Sequence, residues 1–247
     1  MSQFFSARRL SLCLSLGVAL AAVGLPVRAE KPMLKVMIND VAPYSWRRDD
    51  VIVGMHVDLM RALAEQAEVD MEMRSGAYAR LIRGFKDGWA DLVLALKNPE
   101  MDAEAVWVGR MHSFRSIIIS RHLAPISAVS QLKGKQLGMA RGAFYSESIN
   151  NDDEIRKFGI TDPFQGVRML AAGRLDAVIS SDYLLKHALR QSGLEMSQFA
   201  PTFVVNELSY ALYARKDLPE SLLQRLHAAL ETLERQGRLA ALLRPYE

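Results

Sequence analysis

The 247-residue chain has 31 basic and 28 acidic residues, and 50% of its residues are hydrophobic. Its nearly balanced charge gives no reason to expect nucleic acid or an anionic membrane surface as a partner. The length is sufficient for an apolar core in one large domain or in two small ones.

The first 29 residues have the features of a secretory signal. Arg8 and Arg9 precede an apolar run over residues 10–23, and the segment ends with the small residue Ala29. The run is shorter than the ~20 apolar residues that a membrane-spanning helix needs. Cys13 lacks the small preceding residue of a lipoprotein signal. We therefore predict a soluble protein of the periplasm, cleaved near Ala29 and exported by either the general or the twin-arginine route.

Cleavage would change both the charge and the redox chemistry of the chain. Residues 1–29 contain three arginines, no acid and the only cysteine, so residues 30–247 carry 28 basic and 28 acidic residues and no cysteine. The mature protein is thus expected to lack disulfides in a compartment that would permit them. Its stability must then come from its apolar core.

Short apolar strands alternate with amphipathic helices along the first part of the mature chain. Residues 34–38 predict the first strand, and apolar residues at helical spacing predict a helix over residues 55–67. A strand over 69–74, a helix over 78–86 and a fully buried strand over 91–95 follow. This alternation is typical of crossover units that build a parallel sheet.

The pattern breaks near residues 121–125 and then restarts. Strands are predicted over 136–140, 177–179 and 210–214, and helices over 164–172, 182–192 and 219–236, with a last short helix ending near Arg244. The restart predicts two lobes, with residues 30–122 and 205–247 in lobe one and residues 123–204 in lobe two. We expect two crossovers, near residues 121–124 and 204–206, and no single continuous sheet.

Six short motifs occur in the order and spacing of a known family. They are Pro43-Tyr44-Ser45, Gly54 with Val57-Asp58-Leu59, Gly88-Trp89-Ala90-Asp91-Leu92, Leu132-Lys133-Gly134-Lys135-Gln136-Leu137-Gly138, Arg141-Gly142, and Ala172-Gly173-Arg174-Leu175-Asp176-Ala177-Val178-Ile179. On these motifs the mature chain resembles the family-three extracellular solute-binding proteins, whose best known members serve polar amino acid transporters.

The resemblance implies an α/β fold of the two-lobed periplasmic binding protein type (type II), in which each lobe is a mostly parallel sheet flanked by helices. It also implies a monomer that captures a small polar or anionic solute between the lobes. An ABC permease would be its membrane partner. A soluble sensory subunit that presents its ligand to a membrane receptor would need the same cleft and export signal, so this alternative stays open.

Loops at the carboxyl ends of the strands are expected to line the cleft, because ligands of open α/β sheets bind there. The predicted ligand contacts are Tyr44, Trp46, Tyr78, Lys97, Asn98, Arg141, Phe144, Tyr145 and Asp182. The family stacks its ligand at the position of Tyr78, and aromatic walls with a few polar groups suit a small-ligand pocket. The alternative is that several of the aromatic residues pack the lobes, and that Lys97 and Arg141 are merely solvated.

Two departures from the family pattern concern the ligand. Members that bind amino acids carry an arginine that grips the ligand carboxylate, and Met101 stands at that position. The family's acid for the ligand amino group is replaced by Ser181, with Asp182 one residue later. Lys97 or Arg141 would be a substitute cation. We therefore expect a small polar or anionic solute rather than a standard amino acid.

Catalysis and metal binding are not indicated. The five histidines show no metal-ligand spacing, and no nucleophile elbow, phosphate-binding loop or dinucleotide fingerprint occurs. We expect neither an enzyme nor a bound cofactor. A few proteins on this scaffold are periplasmic dehydratases, so Asp182 or Glu147 as a general acid or base is the remaining alternative.

Overall fold

The computed structural model describes residues 31–247. The predicted signal peptide and its cleavage site near Ala29 lie outside the described residues. Over residues 31–247, none of the helices is both long and apolar enough to cross a membrane.

Ten strands and eight α-helices make up residues 31–247. The strands are β1 (Met33–Asn39), β2 (Trp46–Arg48), β3 (Val51–Val53), β4 (Asp70–Gly76), β5 (Leu92–Leu96), β6 (Val106–Ser120), β7 (Gln136–Ala140), β8 (Arg156–Ile160), β9 (Ala177–Ser181) and β10 (Phe203–Ala214). The helices are α1 (Met55–Ala67), α2 (Tyr78–Lys86), α3 (Pro99–Glu104), α4 (Glu147–Asn150), α5 (Pro163–Ala171), α6 (Asp182–Gln191), α7 (Glu220–Arg235) and α8 (Arg238–Leu243). Every element predicted from the sequence has a counterpart here.

Eight strands form one sheet in the order β4-β1-β5-β10-β6-β9-β7-β8. Strands β4, β1 and β5 are parallel to one another, and so are β8, β7 and β9. Strands β10 and β6 lie between these two sets and are antiparallel to each other and to their outer neighbours. We call β1 to β5, with α1, α2, α3, α7, α8 and the residues after α8, the first half, and β7, β8 and β9, with α4, α5 and α6, the second half.

The expectation that no single sheet would form is wrong, because two long strands serve both halves. Strand β10 pairs with β5 through Tyr210–Ala214, whereas β6 pairs with β9 through Ser116–Ser120. The chain therefore passes between the halves inside β6, upstream of the predicted crossover at residues 121–124. Each half is still mostly parallel, as predicted.

Side chains of each half pack on both faces of the sheet. On β1, Val36 and Ile38 belong to the core that packs against α1 and α7, while the intervening Met37 packs with residues of α2. On β9, Val178 packs with α5 and α6, and Ile179 faces the opposite core. Helices on both faces explain why these strands are continuous apolar runs rather than alternating ones.

The start of α1 fixes the loop that follows β1. The first helical N–H groups, of Met55 and His56, donate to the carbonyls of Pro43 (2.9 Å) and Tyr44 (2.8 Å). These bonds satisfy donors that a helix N-terminus otherwise leaves unpaired. The approach is close enough that Gly54, at φ 128°, is required, since a Cβ there would lie 2.6 Å from the Tyr44 carbonyl oxygen.

The hairpin β2–β3 was missed from the sequence. Its turn residues, Asp49 and Asp50, both have positive φ, which is the conformation of the two-residue turns that suit the twist of a hairpin. The paired strands are only three residues each, too short for a recognisable alternating pattern. The hairpin carries Trp46, and it therefore decides where that predicted ligand contact lies.

Candidate site where the strand ends meet

The register of the sheet brings the carboxyl ends of both halves to the same place. Leu96, the last residue of β5, lies opposite Tyr210, which in turn lies opposite His112 on β6. Ser181, the last residue of β9, lies opposite Ser116 on the same strand. His112 and Ser116 are separated by roughly 13 Å along the strand. We call these five residues and the loops beside them the strand-end region.

A hydrogen bond joins the halves across the strand-end region. The hydroxyl of Tyr44, in the loop after β1, donates to Ser181 Oγ at 2.8 Å. Burial, as the largest influence, raises the pKa of Tyr44 well above its ordinary value, so the hydroxyl stays protonated. Ser181 also accepts from the main-chain N–H of Leu184 (3.2 Å) and so caps α6. The structure thus places Tyr44, with 2% exposure, inside the protein rather than on an open wall.

Two buried histidines lie beside this bond. The Nε2 atoms of His56 and His112 are 3.0 Å apart, and the rings of Tyr44 and Tyr210 stack on them with centroids at 4.6 and 5.2 Å, respectively. His112 Nδ1 lies 3.3 Å from the Ser113 carbonyl oxygen, to which it donates, so its Nε2 accepts from His56. Burial lowers the pKa of His112 to about 4 and holds that of His56 well below its ordinary value. Both imidazoles are therefore neutral near pH 7.

Tyr78, the first residue of α2, lies beside the end of β5, where the sequence predicted a ligand contact. Its side chain is partly buried, and its hydroxyl accepts the main-chain N–H of Leu96 at 3.1 Å. Burial, as the main influence, raises the pKa of Tyr78, so the phenol stays neutral and keeps its own proton to donate.

The segment after β5 is occupied by contacts within the first half. The Lys97 ammonium pairs with Asp102 at 3.0 Å and lies 5.6 Å from the centre of the Trp107 ring. The Asn98 side chain accepts the N–H of Met101 at 2.9 Å and so caps α3. Met101 itself is buried in the core and supplies no polar group.

The loop after β7 divides into exposed and buried positions. Arg141 is exposed, with Nε 3.4 Å from the Gly159 carbonyl oxygen, and Phe144 is 62% exposed. Tyr145 is buried, and its carbonyl accepts from the side-chain amide of Asn206 on β10. The loop is therefore tied to the centre of the sheet, while two of its predicted contact residues stay in solvent.

Asp182 is held by three donors. Its carboxylate accepts from Arg115 Nε (3.2 Å) and from the main-chain N–H groups of Arg115 (3.3 Å) and Tyr183 (3.0 Å). With 8% exposure, it links β6 to the start of α6. These bonds already occupy the carboxylate that the sequence predicted as a ligand contact.

Trp46 lies apart from the other predicted contacts. Its ring centre is 6.0 Å from that of His187 on α6, and it lines a cavity of about 800 Å³ whose walls come from both halves. None of the other predicted ligand contacts lines this cavity.

The sequence reasoning missed the buried polar residues of the centre. Ser116 Oγ and Asn206 Oδ1 are buried and have no hydrogen-bond partner among residues 31–247, and the two residues lie opposite each other on β6 and β10. His56 and His112 were noted only as lacking metal-ligand spacing. No local signal finds these residues, because their contacts join segments far apart in the sequence. Within residues 31–247, no group of three or more His, Cys, Asp or Glu side chains is placed to hold a metal ion.

Comparisons with known proteins identify the family and agree with the fold. The model of the bacterial extracellular solute-binding proteins, family 3, matches residues 34–246. The arginine-binding extracellular protein ArtP of Bacillus subtilis (strain 168) is 25% identical over 224 residues, covering 86% of this chain and 85% of the relative.

Two solved structures share the fold of this chain at 19% identity. A histidine kinase sensor domain with similarity to periplasmic binding proteins has a TM-score of 0.73 and covers 87% of this chain and 95% of its own. An ancestral arginine-binding protein bound to arginine has a TM-score of 0.71, with 87% and 98% covered. The predicted α/β fold of periplasmic binding proteins is confirmed, and the chain belongs to the bacterial extracellular solute-binding proteins of family 3.

Proposed function

We propose that this protein is exported to the periplasm, where it captures a small polar or anionic solute between its two halves and delivers it to an ABC permease. The observation that carries the proposal is the meeting of the carboxyl ends of β5 and β9 along the centre of β6. Ligands of α/β sheets bind at such ends, and a solute that contacts both halves favours their closure.

We propose two lobes close to the sequence boundaries, residues 30–122 with 205–247 and residues 123–204, with the first passage between them inside β6 rather than at residues 121–124. Tyr78 is the aromatic contact we propose first, because it lies at the end of β5 with a free phenolic proton. Arg141 and Phe144 face solvent beside the same region and are available to a solute.

The ligand proposed is not a standard amino acid, although the Bacillus relative is named for arginine. Met101 is buried in the core, and the Ser181 hydroxyl is bonded to Tyr44, so neither offers a charge to an amino acid. Losing a charged partner for a buried carboxylate reduces affinity by about a thousandfold. Lys97 is a weak substitute, since Asp102 already neutralises it.

Calorimetry on the purified protein tests this prediction. We expect the common L-amino acids to bind only weakly, and at least one member of a panel of organic acids, amines and small peptides to bind with submicromolar affinity. Tyr78→Ala should weaken that binding without unfolding the protein. The control is Trp89→Ala, which removes an aromatic ring that is 60% exposed and is not a predicted ligand contact. Recovery of the bound compound unchanged would distinguish binding from turnover.

The outcomes separate the parts of the proposal. Submicromolar binding of a standard amino acid would refute the ligand class but leave solute binding intact. No binding by any compound would contradict the function itself. A melting temperature lowered by Tyr78→Ala, with affinity unchanged, would assign Tyr78 to the core.

A sensory role is the second candidate, favoured by the similarity to the histidine kinase sensor domain. Uptake of the identified ligand by cells lacking the protein distinguishes the two. Lost uptake supports the import role. Normal uptake with a lost transcriptional response to the ligand supports the sensory role.

A further inference from the structure

The cavity beside Trp46, which we call the side groove, is a concave site between the halves, beside the loop after β1. Its volume of about 800 Å³ lies within the range of small-molecule sites. One wall is formed by Trp46 and Arg48 of the β2 strand with Tyr246, near the chain's end. The opposite wall is formed by Phe164 at the start of α5 and by α6.

The α6 wall is a stripe on one helical face. Leu184, His187, Ala188 and Gln191 line the groove at spacings of three and four residues, which place them on the same side of the helix. Their apolar surfaces and the imidazole ring of His187 face the indole ring of Trp46 at a centroid distance of 6.0 Å. Flat groups from the two halves therefore bound the groove.

Two arginines, Arg48 and Arg190, line the groove beside these flat surfaces. The Arg48 guanidinium lies 5.6 Å from the centre of the Trp46 ring, and among residues 31–247 it forms no ion pair with a carboxylate. Arg190, also on the lining, donates to the main-chain oxygens of Glu247 (3.0 Å) and Tyr246 (3.4 Å). An arginine over an aromatic ring recognises planar anions by stacking and by its donor fork.

Asp162, the acidic residue that lines the groove, binds groups other than Arg48. Asp162 caps α5 by accepting the N–H of Gln165 at 2.8 Å, and its second oxygen accepts the Thr161 hydroxyl at 3.2 Å. Its bonds serve the first turn of the helix, so it leaves the Arg48 charge available to a ligand.

We propose that the side groove is a second binding site, for a small planar organic anion such as an aromatic carboxylate. The ring of the ligand lies between Trp46 and α6, and its carboxylate lies against Arg48. Of the predicted ligand contacts only Trp46 lines the groove, which adjoins the strand-end region through Val41 and Ala42 of the loop after β1. The proposal goes beyond the proposed function and does not depend on the identity of the main solute.

Fluorine NMR of protein labelled with 5-fluorotryptophan tests the proposal, because the chain has three tryptophans. The probe is naphthalene-2-carboxylate. The comparison compounds are neutral naphthalene-2-methanol and non-aromatic cyclohexanecarboxylate. We expect the naphthoate to shift the Trp46 signal saturably while the signals of Trp89 and Trp107 stay fixed. Both comparison compounds should bind about tenfold more weakly or worse.

Variants locate the site. Arg48→Ala should weaken naphthoate binding about tenfold or more, whereas Arg47→Ala should not, because the Arg47 side chain instead binds the main-chain oxygen of Asp50. Tyr78→Ala should leave naphthoate affinity unchanged. The proposal is overturned by an unmoved Trp46 signal, by equal binding of the neutral alcohol, by equal effects of the two arginine variants, or by loss of binding in Tyr78→Ala.

Discussion

The neutral histidine pair is the residue-scale feature with the clearest energetic consequence. His56 and His112 are 0% and 4% exposed. In place of water, each imidazole contacts the ring nitrogen of the other and the face of a stacked tyrosine. Burial excludes the charged form, since a charged imidazole there has no carboxylate partner of its own. Burial, which lowers the pKa of His112, is the largest influence, and the hydrogen bond to Ser113 and the charge of Asp182 raise it to a smaller extent.

The pair predicts a loss of stability as the pH falls. The unfolded chain protonates histidine below about pH 6.5, whereas folded His112 resists protonation until about pH 4. Protons therefore favour the unfolded state between these values, by up to about 1.4 kcal/mol per pH unit for each imidazole. From about pH 7 to about pH 5, urea unfolding should show a loss of roughly 2–4 kcal/mol.

Replacing both rings tests the source of this loss. His56→Phe/His112→Phe removes both partners of the bond and keeps the aromatic volume, so its free energy of unfolding should change much less over the same range. His122→Phe, at an exposed position, should keep the full pH dependence. An equal loss in the double variant would show that other groups titrate in this range.

At the scale of elements, the loop before α1 is fixed by close backbone contact rather than by side chains. Residues 43–45 form the cap of α1 and also position the Tyr44 ring against the histidines. A glycine at position 54 is the local requirement of this arrangement, because its φ of 128° and the nearby carbonyls exclude a side chain.

Gly54→Ala should therefore be strongly destabilising. A methyl group 2.6 Å from the Tyr44 carbonyl oxygen must displace the loop, and we expect a loss of about 3 kcal/mol or more in urea unfolding. Gly134→Ala is the matched control, since φ is +71° there and nothing lies within 4 Å of the added carbon. It should cost only about 1 kcal/mol. Equal losses for the two variants would contradict the role of close packing at Gly54.

The elements that could be predicted were those in which apolar residues repeat at a regular spacing. The bounds of α1 and α2 agree with those predicted, because their buried residues repeat at helical spacing. Strand β6 was not predicted at all, since polar residues such as Arg110 and Arg115 interrupt its apolar pattern. Their positions make sense only once the strand is seen to pass from one half to the other.

The site was less predictable than the fold because its contacts are long-range. The sequence placed Tyr44 and Asp182 correctly at strand ends, but it does not reveal that Ser181 and Arg115 already bind them. Arg141 and Phe144 are exposed, as their position in a loop suggests, and are therefore available to contact a solute. Partner choice among buried polar groups depends on register, which local patterns do not specify.

At the scale of the whole molecule, the two halves are connected by more than the central strands. Tyr44 binds Ser181 on one side, and Arg190 of α6 binds the main chain at Tyr246 and Glu247. Tyr246 is in turn bonded to Asp58 of α1 at 2.6 Å. These contacts add to the central strands in fixing how the two halves lie together.

Removing these contacts should open the molecule. Tyr44→Phe/Arg190→Ala deletes one donor from each connection and leaves β6 and β10 as the main link, so we expect a larger radius of gyration in small-angle scattering without solute. Solute should restore the original value, because its own contacts replace the lost ones. Arg238→Ala is the control, since it breaks an ion pair with Glu65 that lies within the first half alone. An unchanged radius in the double variant would show that packing along the central strands, rather than these hydrogen bonds, sets the closed arrangement.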